Sequence, residues 1–289
     1  MIIQKILPVA VIFLCLNIIQ KTVSQFICTS GDIFRDEVAT CTCRDFTTGG
    51  SCTNRCPVGP TNCAAALSGI FLADCMSDCT SVQNKDCDAC GIWLHSLCVC
   101  QQNASFCAWE NSQGESWVKL AGQNLATTNE PIHNILALQT HPSLAITGWD
   151  FGQQISDPSS QGLAINPVRT VTQDQIHMHI CSINPAMRTF LTSKSTSALS
   201  TYSTLQPIQL TPQFKQPRGS DTMWCLASQT KNSPISGNAI YGAINSVLQM
   251  HGICNYYVGA AVVRDGNGYT WGCVTADSGD AEHRFLLNC

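Results

Sequence analysis

The sequence predicts an α+β fold for its second half, an antiparallel sheet with helices, preceded by a disulfide-rich and mostly irregular first part. Three observations carry this. Cysteine is unevenly spread: thirteen lie between Cys28 and Cys107, and five lie beyond, at 181, 225, 254, 273 and 289. Two β-prone runs, 257–264 and 269–276, flank Asp265-Gly266-Asn267-Gly268, a strong hairpin signal. Helical stripes with their own start and stop signals fall between the strand-like runs, the clearest at 238–251.

Residues 1–25 read as a secretory signal. Lys5 supplies the positive end, an apolar run follows over 6–19, and polar residues 20–25 close it, with cleavage expected near Ser24 or Gln25. The apolar run is short for a bilayer span, which needs about 20 residues; an uncleaved membrane anchor is the alternative. Cys15 lies in this segment, so 18 of the 19 cysteines remain, an even number. Secretion with a dense, even cysteine set points to disulfides. Thirteen and five are both odd, so complete pairing requires at least one bridge between the halves. Asn103-Ala104-Ser105 is a glycosylation sequon that fits the same compartment.

The length of 289 residues allows one sizeable domain and a smaller one, divided as 26–112 and 113–289. Net charge is −4 and only 12% of residues are charged. No basic stripe is present, so nucleic acid is not an expected partner. In the cysteine-rich part, 62–79 is the best helix, with Ala64, Ala65, Leu67, Ile70, Phe71 and Cys75 on its stripe. Cys87-Asp88-Ala89-Cys90 has the local spacing of a zinc pair, but in an oxidising compartment disulfides are preferred.

In the second part, 134–139 and 143–149 read as short strands joined through His141-Pro142 in a hairpin. A strand at 163–165 ends at Asn166-Pro167, and the next covers 176–183. Asn184 as N-cap and Pro185 at the first helical position open a helix with Met187, Phe190 and Leu191 on its apolar edge. Residues 194–220, rich in Ser, Thr, Pro and Gln, read as loop. The helix at 238–251 carries Ile240, Ile244, Val247 and Leu248 on one stripe and stops at Gly252.

The strand at 176–183 holds the chemistry. Side chains two apart share a strand face, so Gln175, His177 and His179 form a polar row backed by Ile176, Met178 and Ile180. A neutral imidazole is a competent nucleophile toward phosphorus. A second histidine beside it can donate to a phosphoryl oxygen and stabilise developing charge. Such a reaction needs no metal and no cofactor. Zinc held by His177 and His179 is the alternative, but no third ligand stands at local spacing.

The run from Gly162 through Asn166, Thr172-Gln173, Gln175, His177-Met178-His179 and Pro185-Ala186-Met187-Arg188 closely resembles the CDP-diacylglycerol pyrophosphatase family of the histidine-triad (HIT-like) superfamily. The segments 257–264 and 280–289 look similar as well. The resemblance covers roughly 130–289 and leaves the cysteine-rich part without a counterpart. It implies a HIT-like sheet in which His177 is the nucleophile and His179 contacts phosphate. Asn166, Thr172, Gln173 and Gln175 would line the substrate. His177 would attack the nucleotide α-phosphorus, expel phosphatidate and leave a cytidylyl-histidine for water to release as CMP.

The implied partner is a nucleotide–lipid or another nucleotide diphosphate ester, with a membrane surface as a possible neighbour. The family also places a helix of about two dozen residues before the Asn-bearing strand. Only 150–161 lies between Trp149 and Gly162, so that helix is expected to be missing. A shortened scaffold favours the second reading, a secreted cysteine-rich binding protein on a degenerate HIT-like fold. His133, His141 and His251 read as surface or cap residues, Arg188 as a solvated helix-face residue, and His283 as part of a tail outside the site. Cys181 is expected to face away from the histidines, buried or bridged.

Overall fold

Ten antiparallel strands make a single sheet in the computed structural model, which describes residues 107–111, 116–120, 122–128, 132, 134–170 and 176–289. The signal segment, the helix at 62–79, the CxxC pair, the Asn103 sequon, His133, Thr172, Gln173 and Gln175 all lie outside the described residues. The strands are β1 (Ala108–Trp109), β2 (Trp117–Lys119), β3 (Leu125–Thr128), β4 (Gln161–Ile165), β5 (His177–Ile183), β6 (Gln206–Gln209), β7 (Thr222–Ala227), β8 (Val258–Arg264), β9 (Thr270–Ala276) and β10 (Leu286–Leu287). They lie side by side in the order β1-β2-β3-β5-β4-β8-β9-β7-β6, and β10 pairs with β5. Among the described residues five α-helices accompany them: α1 (Ile135–Gln139), α2 (Pro142–Ile155), α3 (Pro185–Ala198), α4 (Gly237–Leu248) and α5 (Ala281–Phe285). The observed class is therefore α+β with an antiparallel sheet, as the sequence predicts.

The expected hairpin over 134–149 is instead the helix pair α1 and α2. Asn134 caps α1 by accepting the N–H groups of Leu136 and Ala137. Pro142 starts α2, where its missing N–H costs nothing. Along α2 the buried positions are Leu144, Ala145, Gly148, Trp149, Phe151 and Gly152. That spacing has a period near 3.6, the signature of a helix face. Isoleucine, threonine and tryptophan around position 146 mimic strand composition, but the burial period decides. A helix of 14 residues thus precedes β4 and packs against one face of the sheet.

Residues 194–220 also depart from the loop expectation. The α3 helix runs on to Ala198, and its hydroxyls bond back to the preceding turn, as Thr196 does to the Thr192 carbonyl. Tyr202 then buries against Trp271, with ring centroids 4.8 Å apart. The β6 strand pairs with β7 through Ile208 and Met223, which places Ile208 in the core. Tertiary pairing supplies what the polar composition hid. The strand β5, the Asn184 cap of α3 and the β8–β9 hairpin form as the sequence predicts. In the hairpin turn, Asp265 accepts the N–H groups of Asn267 and Tyr269. Gly268 takes φ +90°, a region closed to most side chains.

Core side chains fill both faces of the sheet. On one face Met178 and Ile180 of β5 pack with Leu163, Trp149, Ile240, Ile244 and Val247. On the other face Ala164, Cys181, Ile183, Ala261, Met187, Leu191, Ala281 and Phe285 pack together. The histidine row of β5 belongs to this second face, under α5. Two bridges, Cys181–Cys289 and Cys225–Cys273, fasten the described part, and the second joins residues directly opposite on β7 and β9. Cys254 is disulfide-bonded too. The bridges fit an oxidising compartment. Among the described residues, no helix is long and apolar enough to cross a membrane.

Candidate active site

His177 and His179 sit two apart on β5 with ring centroids 5.0 Å apart in an edge-on arrangement. His177 is buried, with 9% exposure. Backing them, Ile176, Met178 and Ile180 are at most 3% exposed, which locks the strand's register and so the direction of both rings. His179 lies opposite Ala164 on β4, and Ala164 lies opposite Ala261 on β8. These small residues leave room above the sheet for α5. Gly259 serves the same end: a Cβ there would sit 3.2 Å from Ala281 and 2.8 Å from Pro167.

The space delivers Glu282, a residue the sequence reading did not single out. Its carboxylate Oε2 lies 2.8 Å from His179 Nε2. The oxygen is not aligned with the ring as a hydrogen-bond acceptor, so the contact is a close approach of the two groups. Asn166, at the end of β4, donates from Nδ2 to the same carboxylate at 2.8 Å, and its Oδ1 accepts the Glu282 backbone N–H at 3.0 Å. Burial raises the Glu282 carboxyl, but the neighbouring His179 ring, the Asn166 amide and the nearby His283 outweigh it and hold it down to about 2. The carboxylate is therefore charged at neutral pH and fixes the His179 ring.

The structure thus brings together His177, His179 and Asn166, and adds Glu282. Both polar ends of the Asn166 amide are engaged by Glu282 in this conformation. Cys181 does not face away from the histidines. Positions 177, 179 and 181 share one strand face by simple alternation, and Cys181 is bridged there to Cys289. Arg188 donates to the Ser159 carbonyl at 2.9 Å and so holds the approach to β4. His283 is exposed and pairs with Asp280 at 3.0 Å. His141 precedes α2 as an exposed residue bonded to the Ala137 carbonyl, and His251 is exposed after α4. Sequence offers one cue to Glu282: an acidic residue close after the last long β-prone run, within 280–289. Its contact with Asn166 spans 116 residues, which no local pattern reveals.

Chemically, the group offers a buried imidazole next to a second imidazole held by a carboxylate and an amide. That set suits nucleophilic attack or proton transfer at an anionic centre. No protein-family model matches the chain, and no curated protein matches it.

Proposed function

We propose that this protein is a HIT-like phosphoanhydride hydrolase acting on CDP-diacylglycerol or a related nucleotide diphosphate ester. The observation that carries the reading is the His177–His179 pair with His179 held by Glu282. His177 attacks the nucleotide α-phosphorus, and the bond to the departing phosphate breaks as the new phosphorus–nitrogen bond forms. His179 donates to a phosphoryl oxygen, where charge grows. Water then cleaves the phosphoramidate, giving CMP and phosphatidate from CDP-diacylglycerol. Glu282 acts as a positioning residue, since it touches His179 and not the reacting atoms. The 14-residue α2 helix that precedes the Asn166-bearing strand supports the reading.

The two bridges and the apolar N-terminal run support a place in the secretory pathway, with residues 1–25 removed and Asn103 glycosylated. A membrane surface is the natural source of a nucleotide–lipid substrate. The rival is a binding protein without turnover, favoured by one specific observation: Glu282 occupies both ends of the Asn166 amide. CMP release from CDP-diacylglycerol by the purified mature protein separates the two. Wild type should release CMP and His177→Ala should not. Equal release from both, or none from either, rejects the hydrolase for this substrate and favours the binding protein.

A further inference from the structure

We propose that His179, Cys181 and Cys289 form a thiol-gated site for a thiophilic divalent cation, closed in the oxidised protein by the Cys181–Cys289 bridge. The site stands independently of the hydrolase reading. His179 and Cys181 share a strand face two positions apart. Cys289 arrives from the far end of the chain, guided by the pairing of Leu286 with Ile183 and Leu287 with Ser182. Asn288, at φ +58°, turns the backbone so that the cysteine meets β5. One ligand atom from each of the three residues then lies within 4.8 Å of the other two.

The donor set is one imidazole nitrogen and two sulfurs. That combination suits zinc, whose bonds are about 2.3 Å to sulfur and about 2.0 Å to nitrogen, and it leaves a fourth tetrahedral position for water. Two thiolates on one tetrahedral ion stand roughly 3.8 Å apart. Opening the bridge lets the sulfurs move to that separation with little change elsewhere. The tail stays in place after opening because other contacts hold it. Arg284 and Asp277 form a buried two-bond pair, and Asn184 donates to the Arg284 carbonyl.

Access sets which of the two described bridges opens first. Cys289 is exposed, whereas Cys225 and Cys273 are at most 1% exposed. A dithiol reductant attacks through its thiolate at Cys289 Sγ and expels the Cys181 thiolate. Its second thiol then releases Cys289 and closes the reductant's own disulfide. Two electrons pass to the protein, one sulfur–sulfur bond is lost there, and one is gained in the reductant. The cation displaces the protons of the two new thiols. Occupancy takes His179 away from any substrate oxygen, so on the hydrolase reading the loaded form is inactive.

The test titrates the full-length purified protein with dithiothreitol under argon in the presence of zinc alone. Bound zinc is measured by elemental mass spectrometry, and open cysteines by alkylation and peptide mapping. One additional zinc per chain should bind as Cys181 and Cys289 become alkylatable, while Cys225–Cys273 is still closed. His179→Ala and Cys289→Ser should each lose that equivalent, and His283→Ala should keep it. Cobalt in place of zinc should show a sulfur charge-transfer band that Cys289→Ser abolishes. Opening of Cys181–Cys289 without zinc uptake overturns the proposal, as does uptake that survives His179→Ala, or opening of Cys225–Cys273 first.

Discussion

Replacing Glu282 with Gln tests the core of the site without changing its shape. The carboxyl is depressed from 4.5 to about 2, and its side chain is only 15% exposed. A group whose folded pKa is depressed adds stability above its unfolded value and loses it as pH falls through the folded value. A depression of this size corresponds to about 3 kcal/mol as a ceiling, at about 1.4 kcal/mol for each tenfold change. Wild type should therefore lose up to that amount between about pH 5 and pH 2 through Glu282 alone. Glu282→Gln keeps the backbone bond to Asn166 but has no charge to lose. The two proteins should differ by up to about 3 kcal/mol at pH 7 and converge near pH 2. Urea unfolding at a series of pH values, with disulfides intact, reads the difference directly. A gap that stays constant from pH 5 to pH 2 would refute the Glu282 carboxylate as the source of the stability.

Three further substitutions probe how the fold builds the site. Gly148→Ala on α2 drives a methyl into the Trp117 ring, which its Nε1 bond to the Leu144 carbonyl prevents from yielding. Alanine gains about 1 kcal/mol of helix propensity, but overpacking costs about 1–3 kcal/mol, so the urea midpoint should fall. Gly259→Val should lift α5 off the sheet and part Glu282 from His179, which a chemical-shift change at the His179 ring in NMR would record. Arg284→Met leaves Asp277 buried without its two bonds. Burial already pushes the Asp277 carboxyl up against those bonds, and breaking such a pair costs about 3–5 kcal/mol, measurable by denaturant unfolding.

Several elements were legible because their signals are local. The β8–β9 hairpin follows from Asp265-Gly266-Asn267-Gly268, and α3 starts where Asn184-Pro185 says it should. The register of β5 follows from alternating Ile176, Met178 and Ile180 against the two histidines. The run at 143–149 misled because composition and period disagree there: β-prone residues occupy positions buried at helical spacing. Residues 194–220 misled because polar side chains satisfy their own helix backbone, and Ile208 is buried only through a strand pairing that a single segment cannot announce. Cys181 needed only the two-residue alternation already applied to the histidines.

The sequence by itself determined the α+β class of the described part, the uneven spread of cysteine, and the face on which His177 and His179 lie. These rest on short-range periodicity and counting, which need no knowledge of what packs where. Tertiary structure alone decided which groups meet His179. Glu282 and Asn166 touch across 116 residues, and Cys289 joins Cys181 across 108. Such contacts depend on small side chains at Ala164, Ala261 and Gly259 that let α5 settle on the sheet, and on the β10 pairing that returns the tail to β5. A side chain's charge partner is set by the backbone that carries it there, and that path is a property of the packed whole.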